Sequence, residues 1–114
     1  MLEKRERINY LCDFYGDLLT ARQQQILDLY YNQDLSLGEI GDEVQITRQA
    51  AHDILKRSEN TLENLESKLG LYSRFLRQQQ ELMAVVELLE AGEKGSPGGA
   101  EIREAIGRIK GLLE

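Results

Sequence analysis

The sequence predicts an all-α protein with a helix-turn-helix near its centre. Three observations carry that reading. Apolar residues recur at three- and four-residue spacing along most of the chain, with no strand-like alternation. Thr20, Ser36 and Thr47 each precede a helical run, and two of them open Ser/Thr-x-x-Glu/Gln capping boxes. Helix breakers gather at the end: residues 70–114 hold seven of the ten Gly and the single Pro.

Ile8, Leu11, Cys12 and Tyr15 place one apolar stripe on a first helix, which Gly16 ends. Thr20-Ala-Arg-Gln23 starts a second helix, with Ile26, Leu27, Leu29 and Tyr30 facing inward. Asn32 is expected to close it in left-handed geometry. Ser36-Leu-Gly-Glu39 starts a short third helix whose Leu37, Ile40 and Val44 point one way. Gln45-Ile46-Thr47 interrupts the pattern, and Thr47 caps a fourth helix. Ala51, Leu55, Ser58, Leu62, Leu65, Leu69, Tyr72 and Leu76 then alternate steps of four and three, the spacing of a helix packed along its whole length. Gly70 bends or ends that helix. A fifth carries Leu71, Phe75, Leu82, Val85, Val86 and Leu89. The segment from Gly92 to Gly99 reads as a flexible loop. Ile102, Ile106, Ile109 and Leu113 mark a last, short helix that needs a partner surface.

The expected division is a helix-turn-helix domain over residues 1–58, a helical extension or dimerisation hairpin over 59–91, and a Gly-rich loop with a short helix over 92–114. The small domain is expected to cover only the first half of the fourth helix. Leu62, Leu65, Leu69, Leu82, Val86 and Leu89 are therefore the expected dimerisation residues, and a homodimer the expected assembly.

Composition excludes several functions. The chain has 114 residues, room for one ordinary domain with an appendage. Its net charge of −6 disfavours a strong non-specific nucleic-acid binder, though not a basic patch on an acidic body. No stretch approaches the ~18 apolar residues of a membrane span, so no membrane insertion is expected. The charged N-terminus is unlike a secretory signal, and the lone Cys12 suits a reducing cytoplasm. His52 is the only His and stands 40 residues from Cys12. No catalytic constellation, phosphate loop or metal-ligand spacing is present in the sequence, so neither enzyme activity nor a cofactor is expected.

The segment from Leu35 to Arg57 carries the functional reading. Ile40, Val44, Ile46, Ala51, Ile54 and Leu55 fall where a helix-turn-helix buries its apolar side chains, and Gly41 falls where the two helices approach. Position 45, a Gln here, is where the turn favours a left-handed residue. Outward on the second helix lie Arg48, Gln49, His52, Asp53, Lys56 and Arg57. Arg and Gln near a helix N-terminus read guanine and adenine edges in a major groove, and later cations meet phosphates. Thr47, Arg48, Gln49, His52, Lys56 and Arg57 are the candidate nucleic-acid-binding residues. The charge is a counterweight: Thr20–Ser58 holds four cations against six anions.

The run from Leu35 to Ala51 resembles the helix-turn-helix of region 4 of bacterial sigma factors. Asp13-Phe-Tyr-Gly-Asp-Leu-Leu-Thr20, Leu29-Tyr-Tyr31 and Asp34-Leu-Ser-Leu-Gly-Glu-Ile40 narrow the likeness to the YlxM family of small bacterial proteins, over roughly Glu3 to Leu71. The family commonly has Ala where Gly41 stands, Ser for Thr47, Val for Ala51 and Tyr for His52. The resemblance implies a sigma-region-4-like domain, a regulatory role, and a link to signal recognition particle components. DNA is the implied ligand, with RNA as an alternative. A protein-interaction adaptor docking on a targeting component without DNA is the competing expectation.

Overall fold

The computed structural model describes residues 2–93 and 99–113. Six α-helices make up the described chain: α1 (Leu2–Tyr15), α2 (Ala21–Tyr31), α3 (Leu37–Val44), α4 (Arg48–Leu69), α5 (Leu71–Glu93) and α6 (Gly99–Leu113), with a short 3₁₀ turn at Gly16–Leu18. The chain divides into two compact units, Met1–Tyr72 and Ser73–Glu114.

Capping sets the helix starts as the sequence predicts. Thr20 Oγ1 accepts the Gln23 N–H at 3.2 Å, and Gln23 Oε1 accepts the Thr20 N–H at 2.9 Å. Ser36 and Glu39 repeat the exchange at 3.1 and 2.9 Å. The Ser36 backbone N–H also holds the Glu39 carboxyl below its ordinary range. Asn32 departs from expectation. It is right-handed at φ −106°, and the left-handed residue is Asp34 at φ 57°. The Asn32 side chain is used instead, donating to Asp28 Oδ1 at 3.0 Å.

The first unit closes around α4. Ile8, Leu11, Tyr15, Leu19, Ile26, Leu27, Tyr31, Ile40, Ala51, Leu55 and Leu62 share one buried core. Ile46 and Ile54, expected to be buried, sit half-buried at its edge. Helices α1, α2 and α3 all pack on α4, and α1 reaches its C-terminal half. Arg7 donates two 2.8 Å bonds to Glu63, and Lys4 stands 3.6 Å from Glu59. The Tyr10 and Tyr72 rings stack with centroids 5.2 Å apart. This corrects the seam reading of α4. Leu62 is fully buried and Leu65 half-buried against the unit's own core; Leu69 alone of the three is exposed. Helix α1, distant in sequence, covers the part of α4 for which the heptad spacing predicts a second copy.

In the second unit, α6 returns along α5. Lys110 pairs with Glu90 at 2.9 Å, and Val86 and Ile106 are buried. Leu82 and Leu89 are half-buried. Two helices cannot enclose a core. Met83, Val85, Leu88 and Leu112 remain exposed, and Leu76, Met83, Ala84 and Leu113 line an open apolar groove. Residues 94–98, most of the expected Gly-rich loop, lie outside the described residues.

Candidate nucleic-acid interface

A helix-turn-helix needs its two helices to cross almost in contact, and Gly41 provides that here. A Cβ on Gly41 would stand 2.7 Å from the Ile46 carbonyl oxygen and 3.4 Å from the Arg48 amide nitrogen. The Gly41 carbonyl accepts from Gln45 and from Ile46, the latter at 2.9 Å. Gln45 takes the left-handed conformation the turn requires, at φ 59° and ψ 50°. A non-Gly residue pays about 1 kcal/mol or more for that geometry, so the hydrogen bonds at the crossing hold it there. Thr47 then caps α4, its Oγ1 accepting the Ala50 N–H at 3.0 Å.

The heptad face of α4 that buries Ala51, Leu55, Ser58 and Leu62 fixes what points away. Gln49, Asp53, Lys56 and Arg57 occupy the opposite, exposed face. Arg48 is exposed in the first turn, and no group in the described structure partners its guanidinium. His52 lies half-buried on the flank, 3.4 Å from the Asp53 carboxylate.

Four of the six candidate side chains are already engaged: Thr47 in the cap, His52 beside Asp53, and also Gln49 and Lys56. Gln49 Nε2 donates to Asp53 Oδ1 at 3.0 Å, so Asp53 holds the Gln49 amide in one orientation. Lys56 Nζ stands 3.6 Å from Glu59 Oε2. Glu59 is itself buried, accepts the Tyr31 hydroxyl and also faces Lys4. Burial, then that bond to Glu59, pushes the Tyr31 phenol well above its ordinary range.

The structure brings one further cation to this surface. Arg22, in the first turn of α2, lines a shallow depression of about 210 Å³ with Arg57, Ile54, Thr20 and Gln23. Sequence reasoning missed Arg22 because the residues that bring it there are the core contacts between α2 and α4, distant in sequence.

Other chemistry has little support among the described residues. No three His, Cys, Asp or Glu side chains converge as metal ligands. Burial, then the Asp13 charge, pushes the Cys12 thiol up and leaves it a poor nucleophile. No described helix is long and apolar enough to cross a membrane.

Known proteins match this arrangement over most of its length. The model of the UPF0122 family, described as "Putative helix-turn-helix protein, YlxM / p13 like", matches residues 2–95. A UPF0122 protein of Desulforamulus reducens is 47% identical over 113 residues, covering 99% of this chain and 92% of that protein. UPF0122 proteins of Bacillus mycoides and Bacillus thuringiensis are 43% and 42% identical over 109 residues, each covering 96% of this chain and 99% of the relative. With the helix-turn-helix built as described and the likeness running nearly end to end, the chain belongs to the UPF0122 family of YlxM/p13-like helix-turn-helix proteins.

Proposed function

We propose that this chain is a non-enzymatic regulator that binds duplex DNA through the exposed face of α4. The observation that carries the reading is Arg48. Among the described residues nothing partners its guanidinium, which stands at the N-terminus of the second helix beside a Gln49 amide whose orientation Asp53 fixes. A guanidinium there can take the two acceptors of guanine in the major groove, and an ordered amide can take adenine. Thr47, His52, Lys56 and Arg57 complete the proposed contact surface. By family resemblance the regulator works in the cytoplasm and serves the signal recognition particle pathway.

Selection from a random duplex library should enrich a site. Arg48→Ala should then bind that site about tenfold more weakly and relax preference at one base pair, the part-loss of a bidentate contact worth about 1–3 kcal/mol. A library that yields no enriched site and no binding in the micromolar range overturns the reading.

The second reading, an adaptor that docks on a basic protein, is favoured by the net charge of −6 and by the Lys56–Glu59 pair. Pull-down from the native cell with and without nuclease separates the two. Nuclease-sensitive partners support the regulator, and nuclease-resistant ones the adaptor.

The same regulator is proposed to act as a homodimer, with its second unit as the contact. Leu88 is 73% and Leu112 75% exposed, too much apolar surface for a two-helix hairpin to leave in water. Leu82 and Leu89 lie half-buried at the rim of this surface, whereas Val86 and Leu62, also expected at the contact, are each buried inside their own unit. Light scattering at tens of micromolar protein should give twice the chain mass, and Leu88→Glu with Leu112→Glu should return it to the 13.0 kDa monomer. A monomeric parent refutes the dimer.

A further inference from the structure

We infer that Arg22 and Arg57 form a phosphate-binding pair that seats a nucleic-acid backbone beside α4. The inference rests on the duplex-binding reading above and adds a contact made by α2.

The two arginines come from different helices and line one depression together with Thr20, Gln23 and Ile54. Among the described residues neither has a carboxylate partner; Arg48 shares that state, whereas Arg7 is neutralised by Glu63, and Lys4 and Lys56 by Glu59. Holding two unpaired cations together opposes folding slightly, and an anion between them removes that cost. The planar fork of each arginine fits phosphate oxygens.

Position selects a nucleic-acid backbone as the source of the phosphate. Gln49 and Arg57 share the exposed face of α4 and are eight residues apart, about 12 Å along the axis. The major groove is also about 12 Å wide. When Arg48 and Gln49 reach base edges, Arg57 lies at the groove wall, where the phosphates are. Arg22 extends that contact from α2, so the backbone is held from two helices and the tilt of α4 in the groove is set.

The test measures binding of the full chain to mixed-sequence duplex DNA over a salt series. Each contacted phosphate contributes about −0.9 to the slope of log affinity against log salt. Arg22→Ala and Arg57→Ala should each make the slope shallower by about 0.9, and the double variant by about 1.8. Each single variant should also lose about 3-fold less affinity between about 50 and 200 mM salt than the parent does. The loss should be equal on mixed-sequence DNA and on any selected site. Arg22→Lys keeps the charge and should keep the slope, and circular dichroism should give every variant the parent's helix content. If the parent binds and the double variant keeps the parent slope, the pair is refuted and the duplex-binding reading stands. If the parent fails to bind duplex DNA at all, both are refuted.

Discussion

Glu66→Ala is expected to lower the stability of the first unit by about 3 kcal/mol, because it leaves the buried Tyr15 hydroxyl and the half-buried Tyr72 amide without their acceptor. α4 ends at Gly70, which is left-handed at φ 64°, and α5 starts at the next residue. No Ser, Thr, Asp or Asn precedes α5 to satisfy its first amides. Tertiary contacts supply the acceptors instead. The Leu71 N–H donates to Tyr15 Oη at 3.1 Å, and the Tyr72 N–H donates to Glu66 Oε1 at 3.0 Å. Tyr15 Oη in turn donates to the same Glu66 oxygen at 2.8 Å. Glu66 is only 7% exposed and Tyr15 1%, so the Tyr15 hydroxyl loses its acceptor where water reaches poorly.

Glu66→Gln keeps the acceptor and should cost about 1 kcal/mol, the difference between a charged and a neutral partner. Tyr15→Phe and Glu66→Ala should be less than additive, since each removes the same bond. Urea unfolding of the parent, the three single variants and the Tyr15→Phe/Glu66→Ala double variant reads all of this, and full additivity would refute the network.

A phenolate titration gives a second readout. Burial, then the bond to Glu66, raises the Tyr15 phenol above its ordinary value of 10.0, against the Leu71 N–H, which lowers it. The folded value lies above the unfolded one. The stabilisation is therefore complete below about pH 10 and is lost as pH rises through the folded value. In Glu66→Gln the phenol should titrate lower than in the parent.

The difference between what the sequence discloses and what it hides is set by range. Helix starts depend on side chains three residues away, so the caps at Thr20, Ser36 and Thr47 and the break at Gly70 are legible directly. The left-handed turn at Gln45 and the close approach at Gly41 are legible because the turn imposes them locally. Contacts between distant helices are not. The heptad stripe of α4 announced that something covers Leu62, but not that it is α1 rather than another chain. A buried Glu looks like a solvated one in sequence; only the placement of Tyr31 and Tyr15 marks Glu59 and Glu66 as acceptors. Arg22 is hidden for the same reason. Asp53 was visible as an outward residue, but its hold on Gln49 follows from side-chain geometry that spacing alone leaves open.

Gly41→Leu should destabilise the first unit by about 3 kcal/mol, the upper end of what overpacking costs. The obstacle is backbone: the Ile46 carbonyl oxygen would stand 2.7 Å from the new Cβ, closer than side-chain carbons approach such atoms. A flexible side chain could swing aside, but this carbonyl belongs to the turn that Gln45 and the Thr47 cap hold in place. Gly41 is itself buried, so the remaining leucine atoms have no solvent to turn towards.

Gly41→Ala separates the two forces at this position. Ala gains about 1 kcal/mol of helix propensity over Gly. The Ala Cβ meets the same Ile46 carbonyl at 2.7 Å, and relieving that contact by moving backbone costs more than the gain. The Ala variant should therefore melt below the parent, but by less than the Leu variant, which adds three further carbons at a buried position. The shift has a functional consequence, because the turn carries Thr47 and Arg48 with it. Gly41→Ala should weaken binding to a selected duplex more than to mixed-sequence DNA, since base contacts depend on position and phosphate attraction does not. A Gly41→Leu protein as stable as the parent would mean that α3 and the start of α4 do not meet, and the helix-turn-helix geometry would have to be abandoned.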